Sequence, residues 1–187
     1  MSLVIAFCGR DRSFMAGDRR EIWFRGDERS VQLLEDDIYS GRIQNEEELR
    51  ARARERGVGI SIRDDRCKVW EEGGVLVGRV SERDGTMLRY RTLFVSCGHY
   101  AMLESRGGGE REIARGGASR FIVLGNRTTQ DIARRCIQSR FGERAGTPAD
   151  ALRAIFAAME EAAARTPSVS KSFSLVQTDE SVPLPRR

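Results

Sequence analysis

Apolar residues fill Leu3 to Cys8, stop at a polar Gly9-Arg10-Asp11-Arg12 turn, and resume through Phe14, Met15 and Ala16. Two strands joined by a turn produce this pattern, and the second is expected to continue past Asp18 towards Ile22, Trp23 and Phe24. A hairpin of this kind brings the start of the chain, Ser2, close to Asp18. From Gly26 to Gly57 the spacing becomes helical, with Val31, Leu33, Leu34 and Ile38 repeating at helical spacing and Asn45 followed by Glu46, Glu47 and Glu48 as a capped start. These two helices carry little apolar surface, which predicts an insertion outside the core over about 26–57. Strand patterns return at 58–62, 68–70, 75–80 and 87–96 and again at 100–104 and 120–124, separated by Asp64-Asp65, Gly73-Gly74 and Asp84-Gly85. The glycine-rich stretch 106–117 reads as a mobile loop or ragged hairpin. Thr128, with Asp131 three residues on, predicts an N-cap, and Thr147-Pro148 opens a second late helix striped by Leu152, Ile155, Phe156 and Met159. After Pro167 the chain turns extended through 170–176, and 179–187 reads as a frayed tail.

Strands first, two consecutive helices late and a closing strand describe an α+β domain in which helices cover largely antiparallel sheet. A chain of 187 residues with 40% apolar composition supports one such domain, expected over 1–178. The 32 basic and 28 acidic residues are interspersed, giving a net charge of +4 and a mixed, solvated surface. Arginine-glycine segments at 106–109 and 115–117 lack the aromatic interleaving of a nucleic-acid site, so no nucleic-acid partner is expected. Cys8, Cys67, Cys97 and Cys136 are too far apart for a spaced metal pair and read as free thiols of a reducing, cytoplasmic compartment. No secretory signal or membrane span is legible. One bias changes the picture. Thirty of the basic residues are arginine, and only Lys68 and Lys171 are lysine. Arginine serves on a solvated surface but cannot be tuned towards neutrality, so a surviving lysine is a candidate for chemistry that needs a movable pKa.

The chemistry begins at Ser2. Aminopeptidases remove an initiator methionine when the next side chain is this small, leaving a terminal serine with a hydroxyl nucleophile and a free α-amine. That amine titrates near pH 8 in model peptides and serves as base without a histidine, so His99 is dispensable. A serine after methionine is commonplace alone, Asp18 beside two arginines is by default a surface ion pair, and Lys68 on a strand is by default a solvated charge. What distinguishes them is their order along the chain.

An amino-terminal hydroxyl, an acid in Ala16-Gly17-Asp18-Arg19-Arg20 and a later Lys68-Val69-Trp70 strand resemble proteasome β subunits. More closely, Met1 to Ala6, Met15 to Ile22, Gly26-Asp27-Glu28 and Tyr39-Ser40-Gly41 resemble the connectase family of methanogenic archaea, proteasome-like proteins that cleave a specific protein sequence and rejoin the fragment they hold. The resemblance implies an Ntn-hydrolase αββα sandwich of largely antiparallel sheets with a helical insertion. It implies Ser2 as nucleophile, Asp18 as the acid, Lys68 as the lysine and Gly78 as backbone oxyanion donor, although close packing also accounts for a glycine there. Thr128 or Thr129 would orient the terminal amine, and Ser170 matches a segment whose acid is missing here. The implied activity is acyl transfer, as transpeptidation or hydrolysis, on a protein or peptide segment from a methanogen, without metal or cofactor. A non-catalytic proteasome-like binding or assembly module is the alternative. Neither reading sets the oligomeric state.

Overall fold

The structure, a computed structural model, describes residues 3–84, 87–141 and 146–185. It is a mixed α/β fold with antiparallel sheets and, among the described residues, four helices. Strands β1 (Leu3–Cys8) and β2 (Ser13–Asp18) pair through Val4–Gly17 to Phe7–Phe14. Their sheet is completed by β10 (Arg120–Gly125), antiparallel to β1, and β11 (Phe173–Thr178), antiparallel to β2, in the order β10-β1-β2-β11. Every residue of β1 and β2 is buried, because both faces of this sheet are covered. One face places Leu3, Ile5, Phe7, Phe14 and Ala16 against α3 (Arg127–Phe141) and α4 (Pro148–Arg165), meeting Ala133, Ile137, Ile155 and Met159. The other places Val4, Ala6, Met15, Ile122 and Leu124 against a second sheet, β5 (Val69–Glu72), β6 (Val75–Asp84), β7 (Met87–Ser96), β8 (His99–Arg106) and β9 (Gly109–Gly117), where they meet Leu76, Val80, Leu93 and Val95. This explains the unbroken apolar runs at the start of the chain. Truncating a side chain such as Ile5 or Leu93 to alanine would cost about 2–5 kcal/mol.

Several elements differ from the sequence-based expectation. The second strand does not continue past Asp18. At Arg19 and Arg20 the backbone amides are taken by side chains, Ser170 Oγ at 2.8 Å and Asp18 Oδ2 at 2.9 Å, and the chain leaves the first sheet. It then forms β3 (Glu21–Arg25), which pairs with β4 (Gly59–Arg63) in a separate two-stranded sheet. Between them, α1 (Glu28–Tyr39) and α2 (Glu46–Glu55) lie on this ribbon with a core of their own. Val31, Leu34, Ile38, Ile43 and Leu49 pack on Ile22, Phe24, Ile60 and Ile62. The helices α1 and α2 therefore cover β3–β4 rather than the outer face of the second sheet.

Of the two forms expected for the glycine-rich stretch, the hairpin is the one found: the chain turns at 107–108 from β8 into β9, which pairs along β8 with a bulge at Met102/Leu103. Helix α3 is capped by Asn126, whose side chain accepts from the Thr129 amide at 2.9 Å, not by Thr128. The Thr147 capping box of α4, with Pro148 in the first turn, forms as its sequence predicts. Residues 179–185 are docked rather than frayed, and the last two positions of the expected tail lie outside the described residues. Glu180 O accepts from Cys97 N at 2.8 Å, Val182 O lies 2.9 Å from His99 Nε2, Pro185 O accepts from Arg115 at 2.8 Å, and Leu184 is buried.

Candidate functional site

Asp18 ends β2 and Lys68 immediately precedes β5, so two sheets must approach closely for the pair to meet. Gly17 permits it. A Cβ there would stand 2.7 Å from Val69 Cγ1 and 3.3 Å from Lys68 Cβ, so only glycine lets β5 lie this near. Lys68 Nζ then donates to Asp18 Oδ1 at 2.8 Å and to Arg20 O at 2.6 Å. Asp18 is fully buried and Lys68 is 6% exposed. The carboxylate is further fixed by two backbone amides, Leu3 N on Oδ1 at 2.7 Å and Arg20 N on Oδ2 at 2.9 Å. Buried charges persist where they are paired and hydrogen-bonded in this way. Burial draws the Lys68 ammonium below the ordinary lysine range, with Asp18 opposing that shift.

Ser2 lies outside the described residues. Leu3, its covalent neighbour, is the residue whose amide is held by Asp18.

Arg20 supports the pair from the other side. Its guanidinium clasps Asp64 with two bonds of 2.8 Å and reaches Pro167 O at 3.1 Å, while its own carbonyl receives Lys68. The Ala-Gly-Asp-Arg-Arg order was visible in the sequence, but no spacing signalled that Gly17 makes room and that Arg20 braces. Ser170, buried, accepts from Arg19 N and donates to Ser172 O, so it ties β11 to the turn that carries Asp18.

The remaining site expectations fall elsewhere. Gly78 faces the space between the sheets, where a Cβ would come 2.6 Å from Met15 Sδ and 2.8 Å from Val4 Cγ1. Because Arg79 N donates to Lys68 O, strand alternation turns the Gly78 N–H to the opposite neighbour, β7, at Leu93. Its amide is thus directed into the ladder, and the packing reading accounts for this glycine. The Thr128 hydroxyl donates to Tyr39 O, joining α3 to the end of α1, and Thr129 is buried with its hydroxyl on Asn126 O at 3.0 Å. Both threonines are engaged in holding the start of α3.

The two buried thiols, Cys8 and Cys97, are poor nucleophiles. Burial, with Cys97 adding to it, pushes Cys8 up to about 11, and burial also raises Cys97. Among the described residues, no group of three His, Cys, Asp or Glu side chains is placed to hold a metal ion. No helix among them is long and apolar enough to cross a membrane.

Antiparallel sheets packed face to face are a fold shared with a solved protein. Over 94% of this chain and 97% of the other, the structure superposes on Thiobacillus denitrificans BPH in complex with epoxomicin, with a TM-score of 0.52 and 10% identity. An Anbu (Gly-1) mutant from Hyphomicrobium sp. strain MC1 aligns over 94% of this chain and 81% of its own, at TM-score 0.42 and 11% identity, too distant to bear on the fold. No curated protein matches the sequence. Residues 1–184 match the family described as Connectase MJ0548-like, N-terminal domain. The chain belongs to the connectase family.

Proposed function

We propose that this chain is an amino-terminal serine acyl-transfer enzyme of the proteasome-like Ntn type, which cleaves a specific protein or peptide segment and passes the acyl fragment to an amine or to water. The observation that carries this reading is the buried Asp18–Lys68 pair, bonded to the amide of Leu3, in a chain that belongs to the connectase family. Once Met1 is removed, Ser2 Oγ attacks the scissile carbonyl carbon and its proton passes to the Ser2 α-amine. The protonated Lys68 lowers the cost of the developing alkoxide, and Asp18 holds that charge in place. Collapse of the tetrahedral intermediate breaks the C–N bond, and the departing amine takes the proton from the Ser2 ammonium. The resulting ester has three acceptors: water, a second amine, and the α-amine of Ser2 itself through a five-membered transfer. Transfer to the α-amine stores the fragment as an amide for religation, with the hydroxyl regaining its proton.

Intact-mass analysis of the purified protein before and after incubation with a methanogen lysate tests the proposal. The expected result is a mature mass starting at Ser2 and a covalent increment that Ser2→Ala abolishes. An increment that persists in Ser2→Ala would place the chemistry on another residue.

A further inference from the structure

Strand β10 stands at the end of its sheet and is paired with β1 alone, so alternate backbone N–H and C=O groups face away from the sheet. A cleft follows this edge. At one end is a cavity of about 740 Å³ lined by Phe7, Phe121, Ile137 and Phe141 with Arg120 and Arg134. At the other is a cavity of about 440 Å³ lined by Gly125, Asn126, Arg127 and again Arg134. Arg134 borders both, which makes the two cavities neighbours along one groove. The register from Cys8–Arg120 to Leu3–Gly125 sets its direction, since the second cavity adjoins the ladder position opposite Leu3. At roughly 3.3 Å per residue, the edge accommodates an extended segment of about five or six residues.

The groove selects by charge. Arg120, Arg127 and Arg134 have no carboxylate partner among the described residues. One acid, Asp131, lines this stretch. Asn126 adds a buried donor, Nδ2, without a hydrogen-bond partner. The far end is apolar, with the Phe7, Phe121 and Phe141 rings 4.9–5.8 Å apart.

We propose that this groove receives an acidic segment of the protein substrate in extended form, added as a strand to the free edge of β10, with a carboxylate side chain at Asn126, Arg127 and Arg134 and an apolar side chain about four residues away at the phenylalanines. The proposal rests on the reading of the Ser2 end as the reacting centre. A built strand partner supplies backbone hydrogen bonds, and the arginines supply fork-shaped donors for carboxylate.

The test uses the full chain as Ser2→Ala, which binds without turnover, immobilised and challenged with a randomised octapeptide library. Bound peptides are expected to be enriched in Asp or Glu about four positions from an aromatic or aliphatic residue. Arg127→Ser with Arg134→Ser should abolish the acidic enrichment, and the milder Arg134→Gln alone should weaken the best peptide about tenfold, the loss of one charge-assisted contact. N-methylation of every second amide in that peptide should prevent binding in one phase and spare it in the other. No acidic enrichment, enrichment unchanged by the arginine variants, or equal tolerance of both methylation phases would overturn the proposal. Because binding is read in a variant that cannot react, Ser2-dependent adducts formed without acidic selection would sink the groove and leave acyl transfer standing.

Discussion

Two buried acids in this molecule are held by cations in opposite ways. Asp37, on α1, is 4% exposed and is surrounded by three arginines of the same insertion, Arg42 at 2.9 Å, Arg56 at 2.6 Å and Arg52 at 3.9 Å. Asp18 is held by one lysine and two backbone amides, one of them at Leu3. The arginines around Asp37 reach in from an accessible rim, where a planar, permanently charged fork suits a solvated clasp. Lys68 is enclosed, and its charge is the kind that burial moves. The difference explains why an arginine-rich chain keeps a lysine here. The Asp37 cluster closes a small core, whereas the Asp18 pair places a tunable charge beside the residue that follows Ser2.

Breaking each cluster separates the two roles. The largest effect is expected from Lys68→Met, which strands Asp18 without its cation and should lower stability by about 3–5 kcal/mol and acyl transfer by about 10²–10³-fold or more. Removing both charges, as Asp18→Asn with Lys68→Met, should restore much of the stability by denaturant unfolding and none of the turnover. Recovery of turnover in that double variant would show the pair to be structural. Asp37→Asn should cost about 1–3 kcal/mol and leave turnover per folded molecule unchanged.

A smaller effect sharpens the contrast through pH. The proposed acyl transfer needs Lys68 protonated, and burial draws its pKa below the ordinary lysine value of 10.5. The rate is therefore expected to fall on the alkaline side before pH 10.5, in a profile of kcat/KM. A rate that holds through that value would remove Lys68 from the mechanism.

The smallest effect concerns the Arg20–Asp64 brace. Arg20 holds Asp64 below its ordinary 3.8, so its folded-state pKa is depressed. The stability that Asp64 confers should be complete above about pH 4 and vanish as the pH falls through that depressed value. The difference in unfolding midpoint between the wild type and Asp64→Asn, followed from pH 6 downwards, is expected to shrink to zero. A difference that grows with acid would contradict the assignment.

Much of this was legible from the apolar pattern. Leu3–Cys8, Ser13–Asp18 and the Thr147-Pro148 start are local signals whose tertiary context agrees with them. The break after Asp18 was not, because it depends on Ser170 from the far end of the chain taking the Arg19 amide. The hairpin at 106–117 was legible only as one of two alternatives, because its glycines suit a loop equally well and tertiary pairing with β8 decides between them. The docked residues 179–185 were hidden because main-chain carbonyls, which carry no sequence signature, anchor them. At the site, Asp18 and Lys68 stood out by motif and by the scarcity of lysine, while the roles of Gly17 and Arg20 arise only when two sheets are brought within contact.

In the proposed mechanism Ser2 carries an acyl group, which peptide mapping of the chain after exposure to a methanogen lysate would detect. The expected product is a protein fragment joined to a terminal Ser2, absent from Ser2→Ala and strongly reduced in Lys68→Met. A chain that retains Met1 in its native host and gains no fragment would contradict it.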